Sequence, residues 1–174
     1  MRDQIIHVKG FMSKEDYSKI YEYSKKNDEL FGEFGNSEQE FKVHVRGQIQ
    51  QIDPEINRVI ESNARRVYDF VKEKYSDTDF KPFDETKTHI ARFEAGAQMH
   101  EHFDSSRPND IATLIYINDD YEGGEIYFPD YDVSIKPESG DLVCFPDNPS
   151  FVHGVRIIKS GVRYTTPRWF TRIV

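Results

Sequence analysis

The sequence predicts an α+β, strand-rich fold, a sandwich or barrel buttressed by N-terminal helices. Three observations carry that prediction. Apolar residues recur at helical spacing between residues 54 and 75. From residue 86 onward short apolar runs alternate with turn chemistry. No internal repeat, low-complexity tract or linker divides the 174 residues. A chain of this length suits one core rather than two. Residues 1–174 are therefore expected to form one domain, with 1–85 as support for the strand-rich remainder, 86–174.

Residues 4–8 read as a short strand, with His7 at the surface rather than in a ligand set. Ser13 followed by Asp16 resembles a weakened capping box and opens a helix to about Lys26, whose Tyr17, Ile20, Tyr21 and Ser24 follow helical spacing. The stretch Leu30–Asn36 mixes Phe31 and Phe34 with glycines. It reads either as a loop tucking both rings into the core or as a lid beside a site. Residues 41–50 alternate as a strand, with Phe41, Val43 and Val45 on one face and His44 on the other. Asp53-Pro54 starts a second helix, because Asp caps free amides and Pro suits the first helical position. Ile56, Val59, Ile60, Asn63, Val67, Phe70, Val71 and Tyr75 then mark its buried face. Residues 76–85 form a polar connector.

Further strands are expected at Thr86–Phe93, Ile111–Asn118, Glu125–Phe128, Asp132–Lys136, Leu142–Phe145, Phe151–Val155 and Arg163–Arg172. Turn chemistry at Asn118-Asp119-Asp120, Gly123-Gly124, Pro137–Gly140, Pro146–Pro149 and Ser160-Gly161 separates them.

Composition narrows the function classes. The chain has 31 acidic and 23 basic residues, a net charge of −8, which argues against a phosphate-backbone binder, so no nucleic acid partner is expected. No apolar run approaches membrane-spanning length and the N-terminus is too charged for a signal peptide, so no membrane partner is expected either. The single Cys144 excludes an internal disulfide and suits a reducing compartment, with a cytoplasmic location expected. Within Leu142-Val143-Cys144-Phe145 it reads as a buried structural thiol rather than a nucleophile.

The chemistry concentrates in His100-Glu101-His102-Phe103-Asp104, where three metal-binding side chains occupy alternate positions. On an extended backbone alternate side chains share a face. A further ligand would come from His7, His44, His89 or His153; His89 precedes the cluster on its own strand, and His153 sits before Gly154 at the end of an apolar run. Two histidines and one carboxylate on one face of an iron leave open positions for a bidentate oxyacid and dioxygen, whereas a zinc site would be closed or open by one position. Ten residues beyond His153 lies Arg163, a residue type suited to a forked pair of hydrogen bonds with a carboxylate.

In order, Phe93-Glu94-Ala95-Gly96, His102-Phe103-Asp104, Thr113–Asn118, Tyr121–Glu125, Phe128-Pro129, His153-Gly154 and Gly161–Tyr164 with Trp169 resemble prolyl 4-hydroxylase-like 2-oxoglutarate/iron(II) dioxygenases. The resemblance covers roughly residues 86–172. It implies a double-stranded β-helix (a jelly roll, cupin-like) that grips Fe(II) near one open end. On it His102, Asp104 and His153 take the metal-ligand positions. Arg163 takes that of the anchor for the distal carboxylate of the co-substrate 2-oxoglutarate, and Tyr116 that of a tyrosine beside it. The family spacing from Gly96 selects His102 over His100, which becomes a group lining the mouth, and Trp169 matches a tryptophan beyond the anchor. Phe93 departs from the family, which often has there a tyrosine whose hydroxyl touches the co-substrate. Pro167 interrupts the last strand, so an edge or bulge is expected there. Retention of Asp104 favours hydroxylation over halogenation.

The implied activity is hydroxylation of a C–H bond with dioxygen, coupled to decarboxylation of 2-oxoglutarate to succinate, with ascorbate as a reductant. The implied substrate is a prolyl residue in a peptide or protein, flanked by the loops 31–36 and 105–110. A free amino acid or another protein side chain is the alternative within that chemistry. A non-catalytic jelly-roll metal-binding module is the alternative from another class.

Overall fold

The computed structural model describes residues 1–33, 42–104 and 110–173. In chain order its elements are β1 (Ile6–Val8), α1 (Lys14–Lys26), β2 (Gly32–Glu33), β3 (Lys42–Val45), α2 (Arg46–Ile52), α3 (Pro54–Lys74), β4 (His89–Glu94), β5 (Met99–His102), β6 (Asp110–Tyr116), β7 (Glu122–Gly123), β8 (Ile126–Phe128), β9 (Val133–Ile135), β10 (Leu142–Asp147), β11 (His153–Val155), β12 (Ile158–Ser160) and β13 (Val162–Thr171). Seven strands form one sheet in the order β1-β10-β6-β13-β4-β3-β2, four form a second in the order β5-β11-β8-β9, and β12 pairs with β7. Every ladder is antiparallel.

The helices begin where capping chemistry places them. The Ser13 hydroxyl accepts from the Asp16 amide at 3.2 Å, and the Asp53 carboxylate accepts from the amides of Glu55 and Ile56 at 3.0 and 3.1 Å. Both helices turn their apolar stripes onto the outer face of the large sheet. Ile20, Ile60, Val67 and Val71 pack there with Ile90, Ile111, Ile115, Leu142, Cys144, Tyr164 and Phe170. The alternate residues of the same strands face inward. Ala112, Tyr116, Val143 and Phe145 meet Ile126 and Phe128 of the smaller sheet, while Ala91 and Phe93 meet Val155 and Ile158. Strands buried on both faces read as continuous apolar runs, which is why β10 lacks polar alternation. Cys144 belongs to the helix-facing layer, and burial pushes its thiol up to about 12, a structural setting rather than a nucleophilic one.

Several local expectations change. The predicted strand 41–50 stops at Val45 and continues as α2, where Ile49 is fully buried between exposed neighbours and its carbonyl accepts from the Asp53 amide at 2.8 Å. One apolar side chain per helical turn outweighs the short alternation before it. The side chains of residues 42–47, His44 among them, lie outside the description, as do residues 34–41 and 105–109, on which most of the two proposed loops fall. Phe31 is buried against Tyr164, with ring centroids 5.7 Å apart. The strand expected from Thr86 begins at His89 after a 3₁₀ turn, and the one expected from Phe151 begins at His153 after another.

Pro167 sits in a central strand rather than at an edge, and its register explains how. Ile117 donates to the Tyr164 carbonyl. By alternation Thr166, Arg168 and Phe170 exchange hydrogen bonds with β6, while Pro167 turns its nitrogen towards β4. The β4 ladder ends at Thr165↔Ala91, so no bond is lost. Pro146 follows the same logic in β10, beyond the last pair with β1 at Cys144. Among the described residues no helix is long and apolar enough to cross a membrane.

Candidate active site

β5 and β11 lie side by side with His102 directly opposite His153. Their rings are 4.5 Å apart between centroids. Asp104, two residues beyond His102, returns to the same side as the strand ends. Its amide donates to Asp147 at 2.9 Å, which ties this end of β5 to β10. The Trp169 indole on β13 donates to Asp104 Oδ2 at 2.9 Å. One ligand atom each from His102, Asp104 and His153 falls within 4.8 Å of the others, a set able to hold a metal ion.

The imidazoles are aimed by the backbone. His102 Nδ1 is 2.6 Å from the His100 carbonyl, and His153 Nδ1 is 3.1 Å from the Phe151 carbonyl. A carbonyl only accepts, so both Nδ1 atoms carry hydrogen and both Nε2 atoms are left to the cluster. His102 Nε2 is buried and stands 2.9 Å from Asp104 Oδ1, yet makes no hydrogen bond among the described residues. A lone pair facing a carboxylate oxygen is repulsive unless a cation lies between them, and two imidazole nitrogens with one carboxylate suit iron(II). The donor set therefore fits a resident metal.

Burial, with the neighbouring His102, pushes His153 down to about 4, so it offers a neutral nitrogen. Burial also disfavours charge on His102, but the adjacent Asp104 carboxylate and the His100 carbonyl outweigh that and raise it above its ordinary value. Burial pushes Asp104 up, while His102, His153 and the Trp169 N–H more than offset it and hold the carboxyl below its usual range.

A cavity of about 360 Å³ opens beside this cluster between the sheets, with Met99, Ala112, Leu114 and Ile126 among its walls. Arg163 lines the same cavity and is completely buried. Its Nη2 donates to the Tyr116 hydroxyl at 3.3 Å, and its guanidinium lies over the Phe93 and Tyr116 rings at 4.7 and 5.0 Å. Its Nε and Nη1 have no hydrogen-bond partner among the described residues. A buried cation with unmet donors is costly on its own and suited to an incoming carboxylate.

Arg163 and Tyr116 are thus neighbours, and His102, Asp104 and His153 converge. His100 does not join them; its side chain is exposed and only its carbonyl serves, by orienting His102. His89 lines the cavity and stacks on Trp169 at 6.1 Å without entering the cluster. His7 pairs with Asp141 at 2.7 Å. Sequence reasoning missed Asp147, which lies in a stretch that reads as a turn, and the Trp169 contact with Asp104, which depends on a pairing across 65 positions.

The sequence profile of the 2OG-Fe(II) oxygenase superfamily matches residues 88–171. The match contains every residue of the cluster and Arg163. The superfamily's name implies Fe(II) and 2-oxoglutarate, which the donor set and the unmet arginine fit. Prolyl 3-hydroxylase 2 from Homo sapiens is 39% identical over 67 residues, 36% of this chain and 10% of that protein. Prolyl 3-hydroxylase 1 from Gallus gallus is 33% identical over 67 residues, 36% of this chain and 9% of that protein. The matched stretch thus spans about a tenth of the length of these curated relatives.

Two solved structures superpose on nearly the whole chain. The viral collagen prolyl hydroxylase from Paramecium bursaria Chlorella virus-1, in its 2OG complex, has a TM-score of 0.72 at 21% identity, covering 98% of this chain and 97% of that one. A Trichoplax adhaerens prolyl hydroxylase in complex with a hypoxia inducible factor oxygen degradation domain peptide has a TM-score of 0.79 at 15% identity, covering 97% and 83%. At such identities they establish the fold, which is the expected jelly roll.

Proposed function

We propose that this chain is a 2-oxoglutarate- and iron(II)-dependent dioxygenase that hydroxylates a prolyl residue in a peptide or protein. One observation carries the reading. The completely buried Arg163, with donors unmet, lines the same cavity as the His102–Asp104–His153 cluster. The prolyl substrate rests on the relatives, which are prolyl hydroxylases by name, and on the peptide carried by the Trichoplax structure. Residues 1–174 are read as one catalytic domain, with 1–85 supporting the jelly roll.

His102, Asp104 and His153 would hold the metal, and Arg163 with Tyr116 the far carboxylate of 2-oxoglutarate. When bound, the pair supplies oxidation with dioxygen, in which the oxo acid loses carbon dioxide to become succinate and one oxygen atom enters a C–H bond. The chain's own part is aim and dryness. Carbonyls behind both imidazoles hold the Nδ1 hydrogens and leave the Nε2 atoms pointed inward. Trp169 and the tie to Asp147 hold Asp104 in place. Phe128 and Phe145 pack against the His153 ring at 5.9 and 4.6 Å and keep water from it. Ascorbate is proposed as the external reductant that keeps the iron ferrous.

Incubation with iron(II), 2-oxoglutarate and proline-containing peptides should add one oxygen to a prolyl residue and form an equal amount of succinate. Oxygen added to a free amino acid or to another side chain would replace the substrate but keep the chemistry. Metal binding with no succinate from any substrate would make the protein a binding module.

A further inference from the structure

Tyr121 follows β6 in the loop leading to β7, and nothing in the site described so far uses it. It is 5% exposed, and its hydroxyl has no hydrogen-bond partner among the described residues. Its ring packs with Ala91, Phe93, Val155 and Ile158, the group that closes one end of the inner layer. Gly124, at φ +70°, is wedged against both Tyr121 and Arg163: an added Cβ would stand 3.0 Å from the Tyr121 ring and 3.4 Å from Arg163 Cδ. On the other side Lys136 places its ammonium 3.7 Å from the Tyr121 ring centroid and donates to the Tyr121 carbonyl at 3.1 Å. A cation on the ring and a tether on the backbone hold this tyrosine in one pose. The hydroxyl feels that neighbourhood. Burial pushes it up, and the Arg163 charge is the main influence opposing that rise.

The groups gathered here are nearly all donors. Arginine has no acceptor, and a tyrosine oxygen that faces it still has its own proton to place. The Tyr116 hydroxyl accepts from Arg163 Nη2, so its proton points elsewhere. Phe93 covers the guanidinium with a bare ring. Arg163 Nε and Nη1 and the Tyr121 hydroxyl therefore await acceptors together. A carboxylate, with two oxygens and about four lone-pair sites, is the smallest ligand that answers them all.

We propose that Tyr121 is a specificity-determining residue, donating with Arg163 and Tyr116 to the far carboxylate of the oxo acid and supplying the hydroxyl that Phe93 lacks. This rests on the functional reading above. It selects a dicarboxylic oxo acid over a monocarboxylic one.

The test uses iron(II)-loaded protein under argon, titrated with 2-oxoglutarate and separately with pyruvate, which has the keto acid end but no far carboxylate. The weak visible charge-transfer band reports chelation without turnover. Tyr121→Phe keeps the ring and its contact with Lys136. It should weaken 2-oxoglutarate roughly 10- to 100-fold, as expected for a lost hydrogen bond to a charged group, and leave pyruvate within about 3-fold. Unchanged 2-oxoglutarate affinity overturns the proposal, and so does an equal loss for both acids, which would mark Tyr121 as packing only. A wild-type protein that gives no band with 2-oxoglutarate refutes the functional reading itself, a failure seen before any variant is made.

Discussion

Arg163→Met should move stability and co-substrate binding in opposite directions. Arg163 is completely buried, and its charge is met by one 3.3 Å hydrogen bond to Tyr116 and by two ring faces at 4.7 and 5.0 Å. Such faces contribute about 0.5–2 kcal/mol each, whereas burying an ion costs several kcal/mol. Methionine fills much of the same space without the charge. Replacing poorly compensated buried charge by apolar side chains has stabilised proteins by roughly 1–4 kcal/mol. The substrate-free variant should therefore melt higher, by about 2–4 °C for each kcal/mol in a chain of this size. Binding should fall, because the carboxylate loses its buried partner, worth about 2–5 kcal/mol, or roughly 30-fold to several thousand-fold in affinity. Thermal unfolding without ligand and an anaerobic 2-oxoglutarate titration measure the two halves. Unchanged affinity would refute the anchor. A variant that is destabilised, and that loses pyruvate as severely as 2-oxoglutarate, would make Arg163 a structural residue.

Three further outcomes follow from single contacts. His102→Ala should abolish iron binding in equilibrium dialysis, whereas His100→Ala should retain it within a few-fold, because only the His100 carbonyl orients His102 and alanine keeps it; the reverse would shift the ligand register by two residues. Trp169→Phe removes the N–H that holds Asp104 Oδ2 and should weaken iron roughly 10- to 100-fold, with wild-type affinity contradicting that role. Asp141, 1% exposed, accepts from the amides of Gly10 and Glu138 and pairs with His7. Burial pushes its carboxyl up, but those contacts outweigh it and hold it below 3.8. Its stabilisation is thus present above about pH 4 and lost as the pH falls through the folded value. Asp141→Asn should cost about 1–3 kcal/mol at pH 7 and flatten that acid limb in urea melts, and an unchanged limb would show that the carboxylate is not linked to folding.

Local chemistry explains which parts of the fold were legible. Asp53-Pro54 announces a helix because the cap and the first turn lie within four residues. The spaced apolar positions of α3 report burial directly, since one face packs and the other is solvated. The strands were harder to orient. His89 lies on a strand whose residues are mostly buried on both faces, so no polar alternation marks which way it points. Residues 46–52 mislead because four residues of strand alternation continue into a helix without a break. The convergence of His102 with His153 depends on a register between strands fifty residues apart. The family resemblance placed these residues together where local pattern could not. Asp147, Trp169 and Tyr121 act through contacts that no neighbouring residue foretells.

The most direct test of the central claim follows oxygen atoms. Protein loaded with iron(II) is given 2-oxoglutarate, proline-containing peptides and ¹⁸O₂, and the products are weighed by mass spectrometry. Succinate carrying one heavy oxygen atom and a prolyl product carrying the other are expected in equal amounts, both abolished by His102→Ala. Succinate that forms without label, or no succinate at all in protein that binds iron and 2-oxoglutarate, would contradict that claim.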